Sequence, residues 1–373
     1  MDKYKTKTAF NKWFSPIKVK KFSFSDQMKI ASFDKYHKKL SFHKALKIYL
    51  YAIDSEKESL RDLDTAFIDE SIQKEMGLES ISFSQLSRKL AEIDSTILLA
   101  VFNQLLGSIK QKMPTHKRNS LYLVDSSTFS LNKNLFPWAE FRKTKSGIKL
   151  HLKYCFMDHE HSYPEEFKIT HAVEHDDHHL EVFVHDPEAT YVFDRGYLNF
   201  ERMDQMHWDG YFFLTRIKKN TKVHVIENFE VPEAKLENGS SILSDQIVAL
   251  GSSTYLTSRF RLVTLEDVHG KKLQFVTNRF DLTAEEVAQA YKFRWQVELF
   301  FKHIKQHMTI KRFFSKSEQG VTNQLILAMI ASLLTYLIKL ETGTSATTFQ
   351  IKRYLRYLLF KPAEEWLERL VPT

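Results

Sequence analysis

At Ser120 the period of the apolar residues changes, and this change constrains the fold more than any other feature of the 373 residues. Up to about residue 115 apolar positions recur at helical spacing, with little Gly or Pro between them. FHKALKIYLYAI reads as one amphipathic helix, and Ser82 with Gln85 has capping-box spacing before QLSRKLAEIDSTILLAVFNQLLGSI. After Ser120 come short runs of strand character. LYLVDSSTFSL is broken at Asp125, IKLHLKYCFM (148–157) alternates at period two, and EFKITHAV (166–173) follows a turn at Pro164. TYVFDRGY ends on Asp194 with Gly196 opening a turn, and YFFLTRI (211–217) is a further strand. Three strands, then strand, short helix and strand, is the order expected of a mixed α/β sheet with helices packed on it. Residues 218–283 carry short β-like runs between polar turns such as ENGSS and DVHGKK, the pattern of a β-rich insertion. Thr283 with Glu286 is a second capping-box start, and the chain from there on reads as helical, ending near KPAEEWLERL.

The helix opened by Thr283 carries YKFRWQVELFFKHIK, which gathers reactive side chains on one face. At about 100° per residue, Tyr291, Arg294, Glu298 and Lys305 point near 0°, −60°, −20° and −40°, with Lys302 at about +20°. Phe293, Val297, Phe300 and Ile304 point the other way and form a buried back. A carboxylate held between cations is suited to a site, whereas a solvated face would scatter both signs.

Asp125 and Asp194 each end a strand-like run, and Glu298 stands on this helix. Strand ends and a neighbouring helix can converge at a sheet edge. Two Asp and one Glu, without His or Cys, form a hard oxygen set suited to Mg²⁺ or Mn²⁺. Such a set can hold two ions about 3.5–4 Å apart, which serve the attacking and the leaving oxygens of an in-line phosphoryl displacement. Arg294, Lys302 and Lys305 would hold phosphates.

Charge is unevenly spread. Residues 1–50 hold thirteen Lys, no Arg and three Asp, a net +10, so the overall +8 leaves −2 for the rest. Aromatics interleave with this basic arm (Tyr4, Phe10, Trp13, Phe14, Phe22 and Phe24), a pattern that points to a nucleic-acid partner or, alternatively, a solvated helical surface or a membrane-surface amphipath. Cys155 is the single cysteine, which excludes a disulfide framework and a Cys-based zinc site. The run from Leu325 to Ile338 is short and carries Ser332, Thr335 and Tyr336, so it reads as a buried helix and not a membrane span. With no secretory h-region after the Lys-rich start, a cytoplasmic location without membrane contact is expected. HDDHHLEVFVHD (175–186) has ligands for a transition metal, but a solvated loop is the expectation.

These residues resemble a known family. The spacing Y-x2-R-x3-E-x6-K (Tyr291, Arg294, Glu298, Lys305), together with LVDSSTF and YVFDRGY, looks like the signature of bacterial insertion-sequence transposases of the "type four" family, a branch of the DDE transposases. The likeness runs from about Ser120 to Ile338, with a less distinctive match over the first hundred residues. It implies an RNase H-like core interrupted by the β-rich insertion. Asp125, Asp194 and Glu298 would be the catalytic metal ligands for two Mg²⁺ (or Mn²⁺) ions. Arg294 and Lys305 would contact transposon-end phosphates, supported by Tyr291, and Trp295 would stack on a distorted base or be buried. The implied partners are double-stranded DNA (terminal inverted repeats and target) and a second subunit in a homodimeric synaptic complex near the bacterial nucleoid. The implied reaction is cut-and-paste through a hairpin intermediate. The expected domains are a helical DNA-binding domain (1–115), the catalytic core in two parts (116–217 and 284–340), the insertion (218–283) and a helical tail (341–373). Two alternatives remain at this point: a stand-alone Mg²⁺-dependent nuclease or resolvase on the same fold, and a non-catalytic DNA-binding regulator. Both differ from a transposase in failing to join strands.

Overall fold

The computed structural model describes residues 7–35, 39–113, 120–142, 145–231, 235–236, 239–251, 258–308 and 312–371. In chain order the helices α1 (Ala9–Phe14), α2 (Phe24–Asp34), α3 (Phe42–Asp54), α4 (Leu60–Ala66), α5 (Glu70–Met76), α6 (Phe83–Glu92) and α7 (Ser95–Lys112) come first. Then follow β1 (Leu121–Leu131), β2 (Glu140–Arg142), β3 (Lys145–Phe156), β4 (Ser162–His171), α8 (Leu180–Phe183), β5 (Thr190–Phe193), α9 (Phe200–Trp208) and β6 (Phe212–Arg216). Next are β7 (Val223–Phe229), β8 (Ser241–Leu250), β9 (Phe260–Glu266), β10 (Lys272–Thr277), α10 (Ala284–Phe293) and α11 (Trp295–His307). The last helices are α12 (Glu318–Thr342), α13 (Thr348–Leu358) and α14 (Ala363–Glu368).

Two compact units divide this chain, and they are not the segments that the sequence suggests. A helical unit combines Met1–Met113, Phe129–Ile148 and Phe301–Thr373, and a strand unit combines Pro114–Thr128 and Lys149–Phe300. The residues expected as a separate C-terminal tail thus share a unit with the N-terminal helices.

The helical unit is organised by α12, which is buried along nearly all its length and packs against α3, α6 and α7. It has the length and hydropathy of a membrane span, but 94% of its apolar window is buried against the other helices. Its polar residues serve the packing: the Asn323 side chain donates to the carbonyls of Leu90 and Ile93 at 2.7 and 2.8 Å, satisfying groups left open at the end of α6. Gly320 allows a close approach, since a Cβ there would lie 2.3 Å from that of Ser315. The segment opened by the Ser82–Gln85 capping box is two helices that bend by 78° where Asp94 caps the second.

Two expectations for this unit are refined. α3 is an amphipathic helix in sequence, but little of it faces solvent: Phe42 and every residue from Ala45 to Asp54 are buried, Lys47 among them through its 2.8 Å ion pair with Glu75. The aromatics of the basic segment belong to the core, with Phe10 and Trp13 fully buried, Phe14 4% and Phe22 8% exposed. Only Phe24 is out in solvent, and Tyr4 lies outside the described residues. Lys12 and Lys29 pair with Glu341 and Asp94, and Lys7, Lys18, Lys20, Lys21, Lys35 and Lys39 are exposed.

In the strand unit one mixed sheet runs in the order β3-β1-β5-β6-β10-β9-β8-β7, with β4 also on β3, while β2 pairs with the first residues of β3 within the helical unit. β1, β5 and β6 are parallel, whereas β10, β9, β8 and β7 continue antiparallel. The β-rich stretch between Asp194 and Glu298 therefore extends the same sheet edge to edge. Its partners are remote in sequence, so local pattern could not reveal the pairing.

Candidate active site

The parallel pairing of β1 with β5 brings the two aspartates together. Their register runs from Leu121↔Thr190 to Val124↔Phe193, so Asp125 and Asp194 are the next residues on neighbouring strands. Side chains at matched positions leave a parallel sheet on the same face, and neighbouring strands lie about 4.8 Å apart. Asp194 ends β5 as expected; β1 continues past Asp125, and only its pairing with β5 stops there. Each carboxylate is oriented by the amide that follows it. Asp125 Oδ1 accepts from Ser126 N at 2.8 Å, and Asp194 Oδ1 accepts from Arg195 N at 2.6 Å.

Glu298 and Arg294 complete the group. The Arg294 guanidinium bridges two carboxylates, giving Nη1 to Asp125 Oδ2 at 3.1 Å and Nη2 to Glu298 Oε1 at 2.5 Å. The expected single helix is broken here: α10 ends at Phe293 and α11 starts at Trp295. Arg294 N bonds back to Tyr291 O and Val297 N to Arg294 O, both three residues away, so the axis tightens at this residue. The 100° arithmetic does not carry through it. The aromatic back is nonetheless real, since Phe293 lies 4.5 Å from Phe156, Phe300 lies 5.0 Å from Tyr154, and Val297 is fully buried.

Burial pushes the Asp125 carboxyl up to about 6; the Ser126 amide and the Arg294 guanidinium oppose the rise, while Glu298 and Asp194 add to it. Three carboxylates thus face one cation, a surplus of negative charge. Among the described residues, no three His, Cys, Asp or Glu side chains form a ready-made metal cage. The donor chemistry still fits a hard divalent cation: carboxylate oxygens aligned by strand register, and a buried Asp125 whose charge is opposed by its neighbours.

Of the other residues singled out, Tyr291 lies half-buried on Phe275 (4.9 Å), with the Arg294 guanidinium 5.7 Å from its ring. Burial raises its hydroxyl above the ordinary range. Trp295 is 56% exposed and so is no core aromatic. Lys302 and Lys305 stand on the part of α11 that belongs to the helical unit. Lys302 is exposed, and the Lys305 ammonium lies 5.0 Å above the Phe129 ring, with burial lowering its pKa. The strand unit by itself supplies both aspartates, Glu298, Arg294 and Tyr291.

The His- and Asp-rich stretch is not the solvated loop expected. Asp176 to His179 form a tight turn, His179 is 4% exposed, and its ring lies 4.2 Å from that of buried His151. Sequence pattern does not single out Tyr197. Its ring is 2% exposed and its hydroxyl is held protonated by burial and by the fields of Asp176, Asp125 and Asp194. The only hint was its place in the DRGY turn.

A mixed sheet with aspartates on paired parallel strands and a glutamate from a later helix defines the class: an RNase H-like α/β core. The chain belongs to the transposase DDE domain family, whose model matches residues 116–334. It is 32% identical over 265 residues to a probable transposase for insertion sequence element IS5377 of Geobacillus stearothermophilus, covering 69% of this chain and 67% of that one. It is 30% identical to the putative transposase y4zB of Sinorhizobium fredii (72% and 74% covered). A putative transposase for insertion sequence element IS4SA of Synechocystis sp. is 25% identical (78% and 82% covered). The fold is similar to that of the piggyBac transposase in its synaptic complex with hairpin DNA, solved by cryo-EM. The TM-score is 0.51 at 10% identity, over 97% of this chain and 80% of that one.

Proposed function

We propose that this chain is the transposase of an insertion sequence, of the "type four" branch, cutting at transposon ends and joining the 3′ ends to target DNA. The observation that carries this reading is the register that sets Asp125 beside Asp194, with Arg294 tying Asp125 to Glu298. Asp125, Asp194 and Glu298 would hold Mg²⁺ or Mn²⁺, which when bound activates the attacking oxygen and stabilises the leaving one. Arg294 holds two carboxylates in the absence of DNA and, on binding, gives its planar fork to an end phosphate, with Lys302 and Lys305 adding charge along the same helix. Tyr291 limits where that guanidinium can sit. Exposed Trp295 is available to stack on a base displaced at a hairpin. Two such subunits would hold the two ends together, and exposed lysines of residues 1–50 would add affinity through phosphates without reading bases.

A strand-transfer assay with labelled terminal repeats tests this. Wild type should nick and join in Mg²⁺. Asp125→Ala, Asp194→Ala and Glu298→Ala should each lose both steps, with non-additive effects, and keep end binding. Nicking without joining would make the chain a nuclease, and end binding with no cleavage in Mg²⁺ or Mn²⁺ would make it a regulator.

A further inference from the structure

We propose that Asp176 is a positioning residue for Asp125, acting through Ser126. The inference rests on the reading of Asp125 as a metal ligand. Ser126 is bonded at two points: its amide donates to Asp125 Oδ1 at 2.8 Å, and its hydroxyl donates to Asp176 Oδ1 at 2.6 Å. The Asp125 carboxylate is therefore aimed by a residue whose own side chain is tied to a turn about fifty positions later in the chain.

That turn is itself fixed. Lys149, on the strand beside β1, places its ammonium 3.1 Å from Asp176 Oδ1 and 2.7 Å from the carbonyl of Glu174. The Lys149 side chain is 11% exposed and that of Asp176 31%, so the pair is partly shielded from solvent and holds the turn more firmly than a fully exposed pair would. His151, two residues along the same face of β3, brings Nδ1 to 3.7 Å from Asp176 Oδ1 while its Nε2 meets Thr170 Oγ1 at 2.9 Å. Burial, with His179 next, pushes its pKa down to about 3, so it is a neutral wall and not a second cation. Asp176 is thus held by one buried cation and spends the same oxygen on Ser126. This turn lies in the His- and Asp-rich segment that the transposase reading leaves without a role.

If Asp176 only closed its own turn through Lys149, Ser126 would be dispensable, so the two accounts separate at Ser126. The full-length protein is titrated with Mn²⁺ while free ion is followed by electron paramagnetic resonance, and thermal unfolding is recorded in EDTA. Asp176→Ala and Ser126→Ala should each weaken Mn²⁺ binding roughly 10–100-fold, as loss of the partner that orients a ligand does. The double variant should be no weaker than either single one, because both break one path. Asp176→Asn, which keeps an oxygen acceptor for the Ser126 hydroxyl, should restore most of the affinity even though its pairing with Lys149 is lost. Wild-type Mn²⁺ affinity in Ser126→Ala, or equal losses in Asp176→Asn and Asp176→Ala, would overturn the proposal. Ser126→Ala and Asp176→Asn carry the test if Asp176→Ala does not fold. If Asp125→Ala itself bound Mn²⁺ like the wild type, the ligand reading would be what fails.

Discussion

Asp125 in the strand unit and Asp54 in the helical unit are both carboxyls that burial lifts to about 6, yet their surroundings differ in sign. Asp54, the last residue of α3, is wholly buried, and neither of its carboxylate oxygens has a hydrogen-bond partner among the described residues. Lys352 and Arg356 of α13 offset its charge, and Arg356 also holds Glu56 at 2.8 Å. Two acids there meet two bases. Around Asp125 the neighbours are two further carboxylates and a single guanidinium. A balanced cluster is complete without a ligand. An acidic surplus on matched strand positions, with the Asp125 and Glu298 side chains 17% and 33% exposed, has charge left for a cation that can reach it. A displaced pKa alone would single out both places; the sign of the neighbours tells them apart.

The largest effect expected from this contrast is on stability. Lys352→Met leaves Asp54 buried beside one remaining base and should cost about 3–5 kcal/mol in urea unfolding at pH 7. Without Lys352 the folded Asp54 carboxyl titrates still higher than about 6, so the deficit should shrink as pH falls through that raised value toward 6, where the variant takes up a proton before the wild type does, and Mg²⁺ should not relieve it. Relief by Mg²⁺ would make this cluster a metal site and erase the distinction.

Asp125→Asn should do the opposite. The folded carboxyl titrates at about 6, above its unfolded value, so ionising it costs stability as pH rises from 4 to 6, and the full cost applies above that. In EDTA at pH 8 the variant should be more stable than wild type by roughly 1–3 kcal/mol and indistinguishable from it below pH 4. A loss of stability at pH 8 would mean that the Arg294 pair, and not burial, dominates at this position.

The smallest effect tests how local signals contribute. Thr283 Oγ1 accepts from Glu286 N, and the Glu286 carboxylate accepts from Thr283 N, at the start of the helix that leads to Arg294. Thr283→Ala should cost about 1 kcal/mol in thermal unfolding. A much larger loss would show that this cap fixes the site as well as the helix end.

What could be read from the sequence was local. Both capping boxes, at Ser82 and Thr283, and the buried run in α12 follow from neighbours within a few residues. Asp194 at the end of β5 belongs with them, because a short apolar run closing on Asp and a Gly turn is itself a local pattern. The break at Arg294 was not legible, since every residue from Tyr291 to Lys305 is compatible with one helix, and the guanidinium's partner Asp125 lies 169 positions away. The fate of Lys47 and of Trp13 was hidden for the same reason. A lysine reads as solvent-facing until Glu75 is brought against it, and an aromatic in a basic stretch reads as a nucleic-acid contact until a core closes over it. The Asp176–Ser126 bond, between a polar run and a strand, left no pattern at all.

The central claim is that Asp125, Asp194 and Glu298 share a divalent cation, and exchange of the ligand atom tests it most directly. Asp194→Cys replaces a hard oxygen with a soft thiolate, which Mn²⁺ tolerates better than Mg²⁺ does. Nicking of a labelled transposon end by this variant should be lost in Mg²⁺ and partly restored in Mn²⁺, while Asp194→Ala stays inactive in both. Equal activity of Asp194→Cys in the two metals, or cleavage by Asp194→Ala in either, would contradict the account.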